Sequence, residues 1–181
     1  MTVPWGEPPE AAMHIFALLL ALLATGTPAQ AQFKSYFDIS KVEIEGLTEP
    51  NWLRKRAADQ LLYMCVQSCP MPTGIAIKGV IRAEKIQDAF ATGELSPAAL
   101  TAEGQANAER LGSEFMGATA REIGGIKAVH METMARGMFF VTKFFGRGDR
   151  LIDIKVTSPS LELARKLSDE TAAALVGQVF K

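Results

Sequence analysis

The sequence has few of the side chains on which catalytic and metal sites most often depend. Its 181 residues include only two histidines and two cysteines. His14 lies in the N-terminal leader described below, so a Ser-His-Asp triad in the rest of the chain would have to use His130. The glycine-framed serine of a nucleophile elbow, phosphate-binding glycine loops and paired zinc-binding histidines are also missing from the sequence. These absences favour a binding or accessory protein over an enzyme.

The sequence also lacks an apolar run long enough to cross a bilayer. The apolar block at residues 15–24 is shorter than the roughly 20 residues that a membrane-spanning helix needs. It is followed by Ala29-Gln30-Ala31, the small-x-small pattern of a signal-peptidase site. Residues 1–31 are therefore predicted to be a secretory signal peptide. Residues 32–181 are predicted to be a single periplasmic or secreted domain with no membrane span after cleavage.

Neither sign of charge is in excess. The whole chain has 19 Lys and Arg against 20 Asp and Glu, and removal of Glu7 and Glu10 with the leader leaves 18 acidic residues. This near neutrality gives no electrostatic reason to expect nucleic acid or an anionic membrane as a partner. Acidic residues before the apolar block are atypical of a signal peptide, and a translation start at Met13 would remove them.

The strongest folding pattern lies in the last quarter of the chain. Residues 138–145 are rich in aromatic and β-branched side chains and residues 151–157 alternate between apolar and polar, so both are predicted to be strands. Residues 146–149 contain two glycines and an aspartate that allow a tight reversal between them. Ser158-Pro159 has the composition of a helix start. The predicted helix has one apolar stripe: Leu161, Ala164, Leu167, Thr171, Leu175 and Val179.

Earlier segments predict further strands and one more helix. Residues 36–45 are expected to form a first strand, residues 60–67 and 74–82 a hairpin, and residues 126–134 another strand. Ser96-Pro97 predicts the start of a helix between the hairpin and the later strands. The resulting order, β-ββ-α-βββ-α, is that of an α+β protein with an antiparallel sheet and helices packed on it.

Two positions allow alternative interpretations. Apolar residues recur every four positions over residues 51–65, so a helix there competes with the hairpin. Trp52 at its start is expected to be a core or rim anchor. Gly104 lies in the apolar stripe of the helix after Ser96-Pro97, where it indicates either the close approach of a neighbouring element or a marginal helix.

The closing hairpin and helix carry a resemblance to a known fold. The element order and the pattern FFVTKFFGRGDRLIDIKVTSPS…LARKL resemble the PsbP-like α+β sandwich. The resemblance implies a non-catalytic accessory or binding domain, because that fold commonly serves partner proteins rather than turnover, although a fold does not establish a function. The expectation is an exported, soluble, single-domain protein that acts with an envelope protein partner and uses no cofactor.

The two cysteines form the most concentrated chemical feature of the chain. In an oxidising compartment, Cys65 and Cys69 most simply form one disulfide. A disulfide that closes so short a loop stabilises by only about 2 kcal/mol in the chain-entropy model. Its predicted role is therefore to fix the turn rather than to hold the domain together.

The same cysteines allow a second interpretation as a copper-binding or thiol-redox site. Cys65-x3-Cys69-Pro70 is similar to the CxxxCP motif of the Sco-type copper chaperones. This resemblance implies that Cys65 and Cys69 bind copper, with His130 as the candidate third ligand. The nearby thioethers of Met64 and Met71 would suit Cu(I). The sequence departs from that family because β-branched residues, not a helical pattern, follow the motif, and the C-x-x-C spacing of thioredoxin-like proteins is missing.

Overall fold

The computed structural model describes residues 33–47, 49–57 and 60–180, and the predicted signal peptide lies outside them. The described residues form eight strands and three helices. The strands are β1 (Phe33–Tyr36), β2 (Trp52–Ala57), β3 (Gln60–Cys65), β4 (Gly74–Arg82), β5 (Glu114–Ile123), β6 (Ile126–Ala135), β7 (Met138–Arg147) and β8 (Arg150–Ser158), and the helices are α1 (Ile86–Ala91), α2 (Pro97–Leu111) and α3 (Leu161–Val179). Among these residues no helix has the length and apolar character needed to cross a membrane.

All eight strands belong to one antiparallel sheet. Its order is β2-β3-β4-β8-β7-β6-β5, and β1 pairs with the end of β4 that extends beyond β3. The β4–β8 pairing joins the earlier hairpin to the last three strands. This architecture confirms the predicted α+β class, and it adds β2, β5 and α1 to the predicted order.

The main core lies between helix α3 and one face of the sheet. Alternate residues of β4, β7 and β8 point to this face because side chains along a strand alternate between its two sides. The buried members are Ile75, Ile77, Val141, Phe145, Ile152, Ile154 and Val156 of the strands and Ala164, Leu167, Ala172 and Leu175 of α3. Each large apolar side chain buried in this way stabilises the fold by roughly 1.5–3 kcal/mol.

Residues 37–47, here called the strap, cover the same face beside α3 without forming a strand. The strand expected over residues 36–45 is therefore wrong beyond β1. The strap turns twice: Val42 N donates to the Ile39 carbonyl at 3.0 Å, and Leu47 N donates to the Ile44 carbonyl at 3.1 Å. All four of these side chains are buried. A strand would have placed odd and even positions on opposite faces, so the turns are what bring all four inside.

Side chains from β2 and from α3 hold the strap in place. Arg54 on β2 donates through Nη2 to the carbonyls of Ser40 at 2.6 Å and Val42 at 3.0 Å. Gln178 on α3 donates through Nε2 to the Glu43 carbonyl at 2.6 Å and accepts from Glu43 N at 3.1 Å. The strap is thereby bonded to an edge strand on one side and to the last helix on the other.

The segment between the strap and β4 resolves the competition between helix and hairpin. Residues 52–57 and 60–65 form β2 and β3, and β3 pairs with β4, so the hairpin is confirmed and the rival helix over residues 51–65 is wrong. Trp52 lies directly opposite Cys65 in the β2–β3 register and is buried in the core, as expected of an anchor.

Helices α1 and α2 lie against β7 and against β5 and β6, respectively. Ser96 caps α2 as predicted, because its Oγ accepts a hydrogen bond from Ala99 N at 3.1 Å and Pro97 begins the helix. A methyl group added at Gly104 would lie 2.6 Å from Cδ2 of Phe115 on β5. Of the two explanations for Gly104, the close approach of a neighbour is the one observed.

Helix α3 begins two residues later than Ser158-Pro159 predicts. Its cap is Ser160, whose Oγ accepts from Leu163 N at 3.3 Å. Ser158 is the last residue of β8, and its Oγ instead accepts from Ser160 N at 3.1 Å. The buried side of the helix contains Ala164, Leu167, Thr171 and Leu175 of the predicted stripe.

Candidate functional site

Cys65 and Cys69 form a disulfide that closes the loop between β3 and β4. Cys65 is fully buried at the end of β3, whereas Cys69 is partly exposed in the loop, with the two Cα atoms 6.5 Å apart. Trp52, which is buried, pairs with Cys65 across the β2–β3 ladder. The predicted disulfide is therefore present, and it closes a loop at the edge of the core.

Further hydrogen bonds attach this loop to neighbouring elements. Thr73 Oγ1 lies within hydrogen-bond distance of the Pro70 carbonyl and, at 3.2 Å, of Ser158 Oγ at the β8–α3 junction. On the other side, Val66 N donates to the Asn51 carbonyl at 2.8 Å. The loop is thus held at both ends independently of the sulfur bond.

The structure does not bring His130 to the cysteines. Cys65 is on β3 and His130 is on β6, with β4, β8 and β7 between them. Four interstrand steps of about 4.8 Å give a separation of at least about 19 Å, far beyond the reach of one metal ion. Met64 alternates with Cys65 and points to the opposite face of the sheet, and Met71 is exposed. Within residues 33–47, 49–57 and 60–180, no three His, Cys, Asp or Glu side chains are placed to hold a metal ion.

His130 instead belongs to a partly buried polar network between the sheet and helix α3. Its ring is 5% exposed, and Nε2 lies 2.6 Å from Oε1 of Glu132, two residues along the same face of β6. Glu132 also accepts from Arg165 on α3, with Nε 2.7 Å from Oε1 and Nη2 2.7 Å from Oε2. Such a two-point arginine–carboxylate contact is among the stronger and more directional ion pairs in proteins.

A second pair lies directly beside the first. Lys143 on β7 is opposite His130 in the β6–β7 register, and its side chain is 1% exposed. Its ammonium group bonds to the carboxylate of Asp169 on α3, a side chain that is 71% exposed. The five residues His130, Glu132, Lys143, Arg165 and Asp169 are here called the charged cluster.

Burial and hydrogen bonding both shift the pKa values of the cluster, and they oppose each other at each group. The hydrogen bonds from Arg165 lower the pKa of Glu132 to about 2, although burial opposes them. Burial lowers the pKa of His130, against the opposing effect of its bond to Glu132. Burial likewise lowers the pKa of Lys143, and Asp169 opposes that change. At neutral pH the cluster therefore contains an ionised Glu132 and a neutral His130.

This arrangement fixes the tautomer of His130. An ionised carboxylate can only accept hydrogen bonds, so Nε2 donates to Glu132 and Nδ1 has the free lone pair. Nδ1 is buried, and no hydrogen-bond partner for it is found in the described part of the chain. A His–Glu pair of this kind can orient a general base, but a base also needs a proton donor or substrate within reach of its free nitrogen. The observed contacts connect the sheet to α3.

Four members of the charged cluster are absent from the sequence-based candidates. Lys143 is the one identifiable from sequence, since it is a single charge inside the apolar run of residues 138–145. Glu132, Arg165 and Asp169 are polar residues at ordinary positions of a strand and a helix. Their association depends on the β6–β7 register and on the placement of α3, which no local pattern encodes.

Comparisons with known proteins identify the fold of this chain but match it to no protein family and no curated protein. Among solved structures, the solution structure of cyanobacterial PsbP (CyanoP) from Synechocystis sp. PCC 6803 matches with a TM-score of 0.53. The chain has the PsbP-like fold. The match covers 83% of this chain and 94% of CyanoP at 12% sequence identity, so the resemblance inferred from element order is confirmed at the level of fold.

Proposed function

We propose that this protein is an exported accessory protein that binds a partner protein of the cell envelope and has no catalytic activity of its own. The observation that carries the proposal is the PsbP-like fold, which spans nearly all of the solved CyanoP chain. A fold of this kind commonly serves a partner, and a fold alone does not assign a reaction. The partner-binding role is therefore the simplest function in agreement with both the fold and the sequence.

Two observations support export. Residues 15–31 have the apolar block and small-x-small site of a secretory signal peptide. The Cys65–Cys69 disulfide is of a kind that persists in oxidising compartments and is rare in the cytosol. The disulfide and the distance between Cys65 and His130 also favour the accessory role over the copper-binding or thiol-redox alternative, which stays a prediction from the sequence.

Export is tested by expressing the full chain in a bacterium and measuring the intact mass of the protein in each cell fraction. The expected product lies outside the cytosol, begins at Gln32 and gains two hydrogen atoms on reduction. The matched control is Leu19→Arg, which interrupts the apolar block and should retain the protein in the cytosol with its leader intact. A wild-type protein that keeps its N-terminus and stays in the cytosol would contradict the proposal.

Partner binding is tested in the native envelope extract by size-exclusion chromatography followed by chemical cross-linking. The expected result is elution with a larger complex and reproducible cross-links from the folded domain to one envelope protein. Elution only as a free domain, with no cross-linked partner, would argue against an accessory role. Measurable turnover of a substrate class by the purified protein would contradict the non-catalytic part of the proposal.

A further inference from the structure

A small cleft lies at the end of the sheet that is formed by the β5–β6 and β7–β8 turns. Its volume is about 230 Å³. Helix α1, the β5–β6 turn and the end of β7 line it through Ile86, Gln87, Phe90, Lys127 and Arg147, together with Gly125, Ile126 and Gly146. The cleft is separate from both the disulfide loop and the charged cluster.

The floor of the cleft is apolar. Ile86 and Ile126 are buried, and Phe90 is partly buried against the smaller core beneath α1. Gly146 lets β7 approach α1 closely beneath the cleft, because a methyl group at this position would lie 3.1 Å from Cγ1 of Ile86 and would also meet the backbone of Arg150. These contacts suit an apolar group that enters between α1 and the β5–β6 turn.

Two cationic side chains line the same cleft. Arg147 is positioned by one hydrogen bond, from Nη1 to the carbonyl of Phe180 at 3.1 Å, and a guanidinium group has further N–H donors to offer. Lys127 is exposed and forms no ion pair with any described residue. Glu122 lies opposite Lys127 in the β5–β6 register, yet the two side chains are not within ion-pair distance. A ligand group placed here would meet two cationic side chains, neither of which has an ion-pair partner among the residues that the structure describes.

The volume limits the size of the ligand. A water molecule occupies about 30 Å³ in the liquid, so the cleft has room for about eight waters. Pockets for drug-sized ligands are typically about 300–1,000 Å³, which excludes a nucleotide or other large cofactor. The geometry points to a short apolar group that ends in a carboxylate. We propose that the cleft binds this group, either as a short fatty acid or as the C-terminal apolar residue of a polypeptide.

The proposal goes beyond the accessory role and does not depend on export. It is tested with the purified protein by following backbone amide resonances during separate titrations with octanoate and with a tripeptide that ends in leucine. Saturable shifts are expected at Gln87, Gly125 and Lys127, with a dissociation constant on the order of 1 mM. Octanol and the tripeptide amide, which lack the carboxylate, should bind about tenfold more weakly, since charged hydrogen bonds contribute on this scale.

Charge-reversal variants locate the binding site. Lys127→Glu and Arg147→Glu should each weaken binding by about tenfold or more, whereas Lys41→Glu, an exposed reversal on the strap, should leave it unchanged. Arg147→Glu also removes the hydrogen bond to Phe180 and could disturb the fold. The milder Lys127→Gln variant removes only an exposed charge and should also weaken binding. Binding of octanoate alone indicates a lipid source and binding of the peptide alone a protein terminus; either result supports the proposal. Equal binding of acid and neutral analogues, insensitivity to Lys127→Glu, or no saturable shift with either carboxylate would overturn it.

Discussion

In the charged cluster, the pKa values of Glu132 and His130 both fall, which leaves Glu132 charged and His130 neutral at pH 7. Glu132 receives two hydrogen bonds from one guanidinium group, and its pKa falls to about 2. His130 has one bond to Glu132 and faces the positive charges of Lys143 and Arg121, so burial prevails and its pKa is lowered. The Glu132–Arg165 contact is therefore an ionic link between sheet and helix at neutral pH, beside the Lys143–Asp169 pair, and His130 is its neutral neighbour.

Loss of this ionic link should destabilise the domain more than loss of an ordinary surface charge. Arg165→Met keeps much of the aliphatic stem but leaves Glu132 with only its bond to His130, so the free energy of unfolding should fall by about 1 kcal/mol. The matched control is Lys166→Met, which removes a 67% exposed lysine whose nearest acidic oxygen is 3.9 Å away. Lys166→Met should change the free energy of unfolding by less than about 0.5 kcal/mol. Urea denaturation at neutral pH measures both, and equal effects would refute the assigned role of Arg165.

Protonation of His130 should make the domain less stable in mild acid. The pKa of His130 is lower in the folded chain than in the unfolded chain. The contribution of His130 to the unfolding free energy is therefore complete above the unfolded-state pKa. It falls as the pH drops below that pKa, because the unfolded chain then takes up a proton that the folded chain resists. Glu132, with a pKa of about 2, adds a further loss only in stronger acid. Between roughly pH 7 and pH 5, the unfolding free energy of wild type relative to that of His130→Asn should therefore fall.

Urea denaturation across this range, together with an NMR titration of the His130 ring, provides the measurement. The control is Lys127→Gln, which changes an exposed charge on the same strand and should retain the wild-type pH dependence. A ring that titrates above its ordinary value, or identical pH dependence in wild type and His130→Asn, would show that the buried ring is not the group responsible.

At the scale of elements, local patterns predict some segments well and fail where packing decides the conformation. The β7–β8 hairpin is predictable because its alternation and its glycine turn are local. The strap has nearly alternate apolar spacing, which predicts a strand, whereas two turns bury its apolar side chains together. Strand β5 is missing from the sequence-based order because its residues are mostly small or polar and Phe115 extends the apolar stripe of α2.

The contact between α2 and β5 gives a prediction with an internal control. Gly→Ala in a helix usually stabilises by up to about 1 kcal/mol, but at Gly104 the new methyl would meet the Phe115 ring, so the variant should be destabilised by about 1–3 kcal/mol. Gly177 in α3 has no atom within 4 Å of the position that an alanine methyl would take, so Gly177→Ala should be neutral or stabilising. Thermal and urea unfolding compare the two variants. Stabilisation by Gly104→Ala would show that α2 is merely a marginal helix, and rescue by added Phe115→Leu would confirm the steric cause.

For the whole molecule, long-range pairing determines which candidate residues can act together. The Cys65–Cys69 disulfide is predictable because the two residues are neighbours in sequence. The fold class is predictable because it depends on the order of elements. The charged cluster is not, since it requires β6 to pair with β7 and α3 to lie across both, and neither arrangement is visible in any short segment. The same sheet order separates His130 from the cysteines with which the copper interpretation grouped it.

This separation makes a prediction about copper that concerns the whole domain. The oxidised protein should bind no Cu(I) at the loop, because both sulfurs are committed to the disulfide. After reduction, any Cu(I) taken up should depend on the cysteines alone: Cys65→Ala should abolish it, and His130→Ala should leave the affinity within about twofold, since the imidazole is at least about 19 Å away. Competition with a chromophoric Cu(I) chelator measures the affinities, and the intact mass, which should rise by two hydrogen atoms on reduction, verifies that the disulfide has opened. A tenfold or greater weakening by His130→Ala would mean that the sheet rearranges to bring β6 to the loop, and the strand order on which the other assignments rest would then describe only the oxidised protein.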